Sequence, residues 1–158
     1  MNNYGFSDTT VESELRDSGV YISVTKGTSM RPLLKTNRDI VVLKKVEKEP
    51  VKYDVVLYRD AGGKYLLHRI IKVTPDRFII RGDNTYVRER VSKDRIIAVL
   101  TEYKRKGKKH STRDFGYRFY SRAWNFIYPI RFLLHKARVL LGRIKRALFK
   151  KRKNTKKD

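Results

Sequence analysis

The chain has no cysteine among its 158 residues. That absence excludes a disulfide framework, a thiolate zinc site and a cysteine nucleophile, and it leaves the redox compartment open. Long apolar runs are missing too: no uncharged stretch exceeds eight residues, whereas a membrane-spanning helix needs about twenty mostly apolar ones. The sequence therefore predicts no transmembrane segment. Its opening, Met1-Asn2-Asn3-Tyr4-Gly5, lacks the basic start and apolar centre of a secretory signal, so the expectation is a chain made and kept in the cytoplasm. Acidic residues are few, 16 Asp/Glu against 39 Lys/Arg, and a balance that basic points to an anionic partner.

The excess charge is unevenly placed. Residues 101–158 hold 20 Lys/Arg against 3 Asp/Glu, which is +17 of the net +23 and leaves only +6 for residues 1–100. The length suits one domain with an appendage, and the charge assigns the basic character to the appendage. Residues 8–18, opening with Asp8-Thr9-Thr10 and acidic in the early turns, predict a short packing helix that ends at Gly19. Val20 to Val24 predicts a strand. From Asp39 to Leu100, β-branched and aromatic runs at 40–43, 55–58, 65–73, 77–80 and 96–100 alternate with turn residues, among them Gly62-Gly63 and Thr74-Pro75-Asp76. The fold class expected is mainly β: a small, partly closed antiparallel β-domain over residues 20–103, behind a lead-in at 1–19. A basic connector is expected at 104–114, helices at 115–150 with a break at Pro129, and a disordered basic end at 151–158.

Lys26-Gly27-Thr28-Ser29-Met30-Arg31-Pro32 delivers a serine on a turn. Gly27 can take backbone conformations closed to residues with a Cβ, and Pro32 fixes its own φ. Such a bend can expose a hydroxyl and a backbone N–H together, which makes Ser29 a candidate nucleophile. A serine hydroxyl needs a base, and His68 is the only histidine within the predicted β-domain. Asp83, aimed by Gly82, is the candidate carboxylate to fix the imidazole tautomer. His110 and His135 are assigned no site role, His135 having no acidic or histidine neighbours at metal-ligand spacing on the basic side of its helix, and no metal and no cofactor are expected. Asp39 and Asp54 read as residues that organise turn backbone, and Arg69 as a snorkelling or carboxylate-paired side chain.

The ordered set Ser29-Met30, Asp39-Ile40-Val41, Asp54-Val55-Val56, His68-Arg69-Ile70 and Gly82-Asp83-Asn84 resembles the signal peptidase and LexA-like serine peptidase superfamily over residues 20–103. The resemblance implies a serine endopeptidase whose nucleophile is Ser29. It also implies a base at His68, the type found in endoplasmic-reticulum signal peptidases, where other members use lysine. In that histidine type a further aspartate lies six residues after the one in the Gly-Asp-Asn motif. Glu89 takes that place here as a supporting carboxylate. The oxyanion donors implied are the Ser29 backbone N–H and Thr28, since the position two before the nucleophile, often a hydroxyl residue in signal peptidases, is Gly27.

Residues 130–150 place Ile130, Leu133, Leu134, Ala137, Leu140, Leu141, Ile144 and Leu148 on one side of a helical wheel and Lys/Arg on the other. Two readings stand side by side: the stripe packs on protein, or the segment 115–150 lies on an anionic membrane surface, peripheral to the inner face. Three function classes follow for the whole chain. The first is an endopeptidase acting on a protein or peptide segment. The second is a catalytically inactive peptide- or membrane-docking module. The third is a LexA-like regulator, disfavoured because about twenty-five residues before Ser29 are too few for a separate DNA-binding domain; nucleic acid is not the expected partner. The sequence leaves the substrate and the oligomeric state open.

Overall fold

The computed structural model describes residues 8–154, with side chains from 11 to 146. Its elements are α1 (Asp8–Asp17), β1 (Val20–Val24), β2 (Ile40–Lys45), β3 (Val55–Arg59), β4 (Tyr65–Val73), β5 (Arg77–Arg81), β6 (Glu89–Ser92), β7 (Ile96–Arg105), β8 (Lys108–Ser111), α2 (Phe115–Phe126) and α3 (Tyr128–Asn154). The chain divides into two compact units, residues 1–122 and 123–158.

The strands form one antiparallel sheet in the order β1-β2-β7-β3-β4-β5-β6, with β8 added to β7. The mainly β, antiparallel expectation is borne out; partial closure is not. The sheet ends at β1 on one side and β6 on the other, and β1 leaves Ile22 and Val24 exposed.

Alternation explains how this sheet buries both faces. In β3, Val55 and Leu57 enter one core with Val41, Leu43, Leu67 and Leu100, while Val56 and Tyr58 enter another with Ile70, Phe78, Ile80 and Val91. A strand covered on both sides needs no polar face, hence the unbroken Val-Val-Leu-Tyr run. Val11 and Leu15 of α1 and Met30, Leu33 and Leu34 of the serine loop cap the first core. Gly19, at φ +72°, turns the chain from α1 into β1.

Both expected hairpins form. Asp60 Oδ1 accepts the N–H groups of Gly62 and Lys64 at 2.8 and 2.9 Å, and Thr74 closes the β4–β5 turn through its hydroxyl, 2.7 Å from the Arg77 carbonyl. Three expectations change. β6 is an additional strand, four residues long, with Val91 as its single buried side chain, too short to register as a periodic run. The stretch at 104–114 is not a solvated connector: β7 continues to Arg105, and Lys106-Gly107, both at positive φ, turn it into β8. Tyr103 of β7 stacks on His110 of β8 with ring centroids 5.0 Å apart. Finally, α3 runs through Asn154, so Lys151 to Asn154 are helical, and 155–158 lie outside the described residues. The interruption between α2 and α3 falls at Ile127, with Pro129 in the first turn of α3, where its missing N–H has no intrahelical partner to lose. Among the described residues no helix is long and apolar enough to cross a membrane.

Candidate active site

The serine loop is built from its ends inward. The Thr25 hydroxyl donates toward the Lys35 and Asp39 carbonyls at 2.7 and 3.0 Å, and buried Asp39 accepts the Lys35 N–H at 2.8 Å. These bonds close residues 25–39 into a loop at the end of β1. Asp54 likewise accepts the Val51 N–H at 2.9 Å, so both aspartates organise backbone, as expected. Gly27 adopts φ +75°, the left-handed conformation anticipated for it. Met30, 6% exposed, plugs the loop into the core and leaves its neighbour Ser29 half-buried at the surface.

The Gly-Asp-Asn turn after β5 holds this loop in place, each residue by different chemistry. Asn84 donates its backbone N–H to the Ser29 carbonyl at 2.7 Å and its side-chain amide to the Thr28 carbonyl at 3.3 Å. Gly82 is where three elements meet: a Cβ there would lie 2.8 Å from the Ser29 carbonyl oxygen, 3.0 Å from Ser29 Cβ and 3.1 Å from His68 Cδ2. No side chain fits, so close approach, not backbone conformation, requires the glycine. The same distances bring Ser29 and His68 together, because both touch one point in space. No direct hydrogen bond links Ser29 to His68 among the described residues, and in nucleophile–base pairs that contact often tightens only with substrate bound.

His68 is buried, and its far ring nitrogen is occupied. Nδ1 lies 2.9 Å from the Tyr58 hydroxyl and 3.2 Å from Glu89 Oε1, while Tyr58 donates to Glu89 Oε2 at 2.8 Å. With the Tyr58 hydrogen committed to Glu89, its oxygen accepts from Nδ1–H. Nδ1 is thus the nitrogen whose N–H the Tyr58 oxygen and Glu89 Oε1 share, and the Cδ2 edge of the ring faces the point at Gly82 that Ser29 also touches. Burial, and then Glu89, push the Tyr58 phenol above its ordinary range and keep it a donor. Hydrogen bonds from His68 first, and from Tyr58, hold Glu89 below the usual carboxylate range against the opposing effect of partial burial.

The carboxylate beside His68 is thus Glu89, not Asp83. Asp83 faces Arg69, which it grips in two parallel bonds of 2.8 Å, and it accepts a third from Tyr120 at 3.0 Å. Arg69 also donates to the Tyr53 carbonyl, the Tyr117 hydroxyl and Ser121 Oγ at 2.9, 3.2 and 2.8 Å, tying the start of α2 to the sheet. Burial pulls the guanidinium pKa down, but the Asp83 carboxylate outweighs it and holds Arg69 above its ordinary value. The reason for the exchange of partners is strand parity. His68 and Arg69 are adjacent in β4 and point to opposite faces; Asp83 follows Arg69 to one, while Glu89 pairs in register with Ile80 on the face of Tyr58, Ile70 and His68.

Tyr58 is the site residue that the motif reading passed over. Its signal was present in the run Asp54-Val55-Val56-Leu57-Tyr58: β3 pairs Val56 with His68, which puts Tyr58 diagonally beside the imidazole on the same face. Thr28 is exposed, one residue before Ser29. Beside Ser29 opens a pocket of about 110 Å³ lined by Thr25, Lys26, Gly27, Met30, Leu34, Tyr65, Leu66 and Leu67, with an apolar floor. Among the described residues no group of three or more His, Cys, Asp or Glu side chains could hold a metal ion. No protein-family model matches the chain, and no curated protein sequence matches it.

Proposed function

We propose that this chain is a serine endopeptidase of signal-peptidase-like type, with Ser29 as nucleophile, His68 as general base and Glu89 as the carboxylate that orients it. The observation that carries the reading is the meeting of Ser29 Cβ and the His68 ring at Gly82, with the opposite ring nitrogen held by Tyr58 and Glu89. Ser29 Oγ attacks the carbonyl carbon of an extended peptide segment while His68 Nε2 takes its proton. The imidazolium formed is stabilised by Glu89 through Nδ1–H. The tetrahedral oxyanion is met by the Ser29 backbone N–H, with the Thr28 hydroxyl as second donor. Collapse breaks the C–N bond as His68 returns the proton to the leaving amine, and water then releases the acyl group by the same route. The apolar pocket beside Ser29 suits one small or medium aliphatic side chain of the substrate.

Incubation of the full chain with a mixed peptide library, read as new termini by mass spectrometry, tests this. Cleavage by the wild-type protein and none by folded Ser29→Ala or His68→Ala is the expected result; equal cleavage by Ser29→Ala contradicts it. Gly27, where a hydroxyl donor would complete the oxyanion site, favours a second reading, a peptide-docking module without turnover. That reading predicts peptide binding that Ser29→Ala leaves intact and no cleavage by any variant.

A further inference from the structure

The unit beginning at Ala123 presents an uncovered apolar face. In α3, Ile130, Leu133, Leu134, Leu140 and Leu141 each expose more than half of their area. They recur at helical spacing, so they form one continuous stripe rather than scattered surface residues. At 3.6 residues per turn, Lys136 and Arg143 border the stripe on one side and Arg131, Arg138 and Lys145 on the other. No Asp or Glu occurs from Phe115 to Asn154. The stripe is preceded by exposed Phe126 and by Trp124, whose ring lies 3.8 Å from the Arg131 guanidinium carbon.

We propose that this face of α3 docks flat on an anionic phospholipid surface. Charge complementarity selects the occupant. A second copy would cover the apolar stripe but would bring one row of Lys/Arg against another, with no carboxylate on the helix to relieve the repulsion. A nucleic acid would satisfy the cations and leave the leucines in water. A bilayer of anionic lipid does both: the leucines enter the boundary between headgroups and acyl chains, and the flanking side chains extend their alkyl stems along it to reach phosphate. Trp124, with Arg131 over its ring at the start of the stripe, supplies the kind of amphipathic ring that membrane interfaces favour. This docking is independent of the proteolysis proposed above.

The sole tryptophan, Trp124, reports on the site without any substitution. The full chain is mixed with vesicles of phosphatidylcholine alone, or of phosphatidylcholine with phosphatidylglycerol. With the anionic vesicles only, Trp124 emission should shift to the blue, be quenched by lipids brominated in the acyl chain, and recover as salt is raised. Leu134→Asp with Leu141→Asp, both at exposed positions that the fold does not need, should weaken binding by roughly tenfold or more. Arg138→Gln and Lys145→Gln should each weaken it by about fivefold. Equal binding to phosphatidylcholine alone, or unquenched Trp124 on bound protein, overturns the proposal. A dimer in free solution that Leu141→Asp splits overturns it in favour of a second copy. Duplex binding unaffected by the two Asp substitutions, with anionic vesicles left unbound, overturns it in favour of nucleic acid.

Discussion

His68 and Arg69 are neighbours in β4, yet alternation sends their side chains to opposite faces of the sheet, where they meet different chemistry. Arg69 is fully buried and every bond around it is directional: two to Asp83, one each to Tyr53, Tyr117 and Ser121. His68 is nearly as buried, but only one ring nitrogen is engaged, and the Cδ2 edge opens onto half-buried Ser29. A cation whose donors are met on all sides holds a structure together. An imidazole with one nitrogen fixed and its other edge beside a serine is the arrangement proposed to move a proton. The sequence places these two side chains in consecutive positions, and the pleat alone sends one into a structural network and the other to the proposed site.

That contrast is open to substitution on each side. The largest effect expected is on the His68 face: Ser29→Ala should lower peptide cleavage by about 10⁴-fold or more, with an unchanged urea midpoint, since Oγ contacts the reacting atoms and does not hold the fold. On the other face the order reverses. Arg69→Ala strands the Asp83 carboxylate in the interior and should cost about 3–5 kcal/mol of unfolding free energy, measured by urea denaturation. Asp83→Asn sharpens the comparison: it should lower stability before it alters the pH profile of cleavage. The converse result, full stability with a shifted profile, would return Asp83 to the role of histidine partner. Glu89→Gln, followed by peptide cleavage, should reduce turnover on the order of 10²-fold, and Tyr58→Phe about tenfold, because Glu89 still reaches Nδ1 when the phenol is gone.

The smallest effect is on acid stability. Glu89 has a folded-state pKa below its unfolded value, so its contribution is present above the unfolded carboxylate range, about pH 4.3, and is lost as pH falls through the folded value. Stability curves measured from pH 6 downward should therefore fall less steeply in Glu89→Gln than in wild type. With its side chain 32% exposed, Glu89 is partly screened by solvent, and the difference should be small.

Much of this arrangement is legible in the sequence. The turn at Gly27, the two hairpins and the antiparallel class follow from local conformational preferences, which depend on a few adjacent residues. The meeting of Ser29 and His68 was legible only through the order of motifs, because nothing local joins residues so far apart in the chain. The identity of the carboxylate was not legible. It depends on the register of β4 against β5 and of β5 against β6, and the last of these strands is four residues long with one buried side chain. The hairpin at 108–111 hid inside a charge run for a similar reason: exposed Lys and Arg side chains mask a backbone that is paired. In α3 the amphipathic pattern was plain, and the uncovered state of its apolar face needed a structure to reveal it.

The most direct test of the central claim is labelling of the full chain by a fluorophosphonate serine probe, followed across pH, with Ser29→Ala and His68→Ala alongside and folding checked by circular dichroism. The account predicts covalent labelling at Ser29 that rises as the imidazole loses its proton and that disappears in both variants while their folds persist. Labelling that persists in folded His68→Ala with the same pH profile, or that falls on a residue other than Ser29, would contradict it.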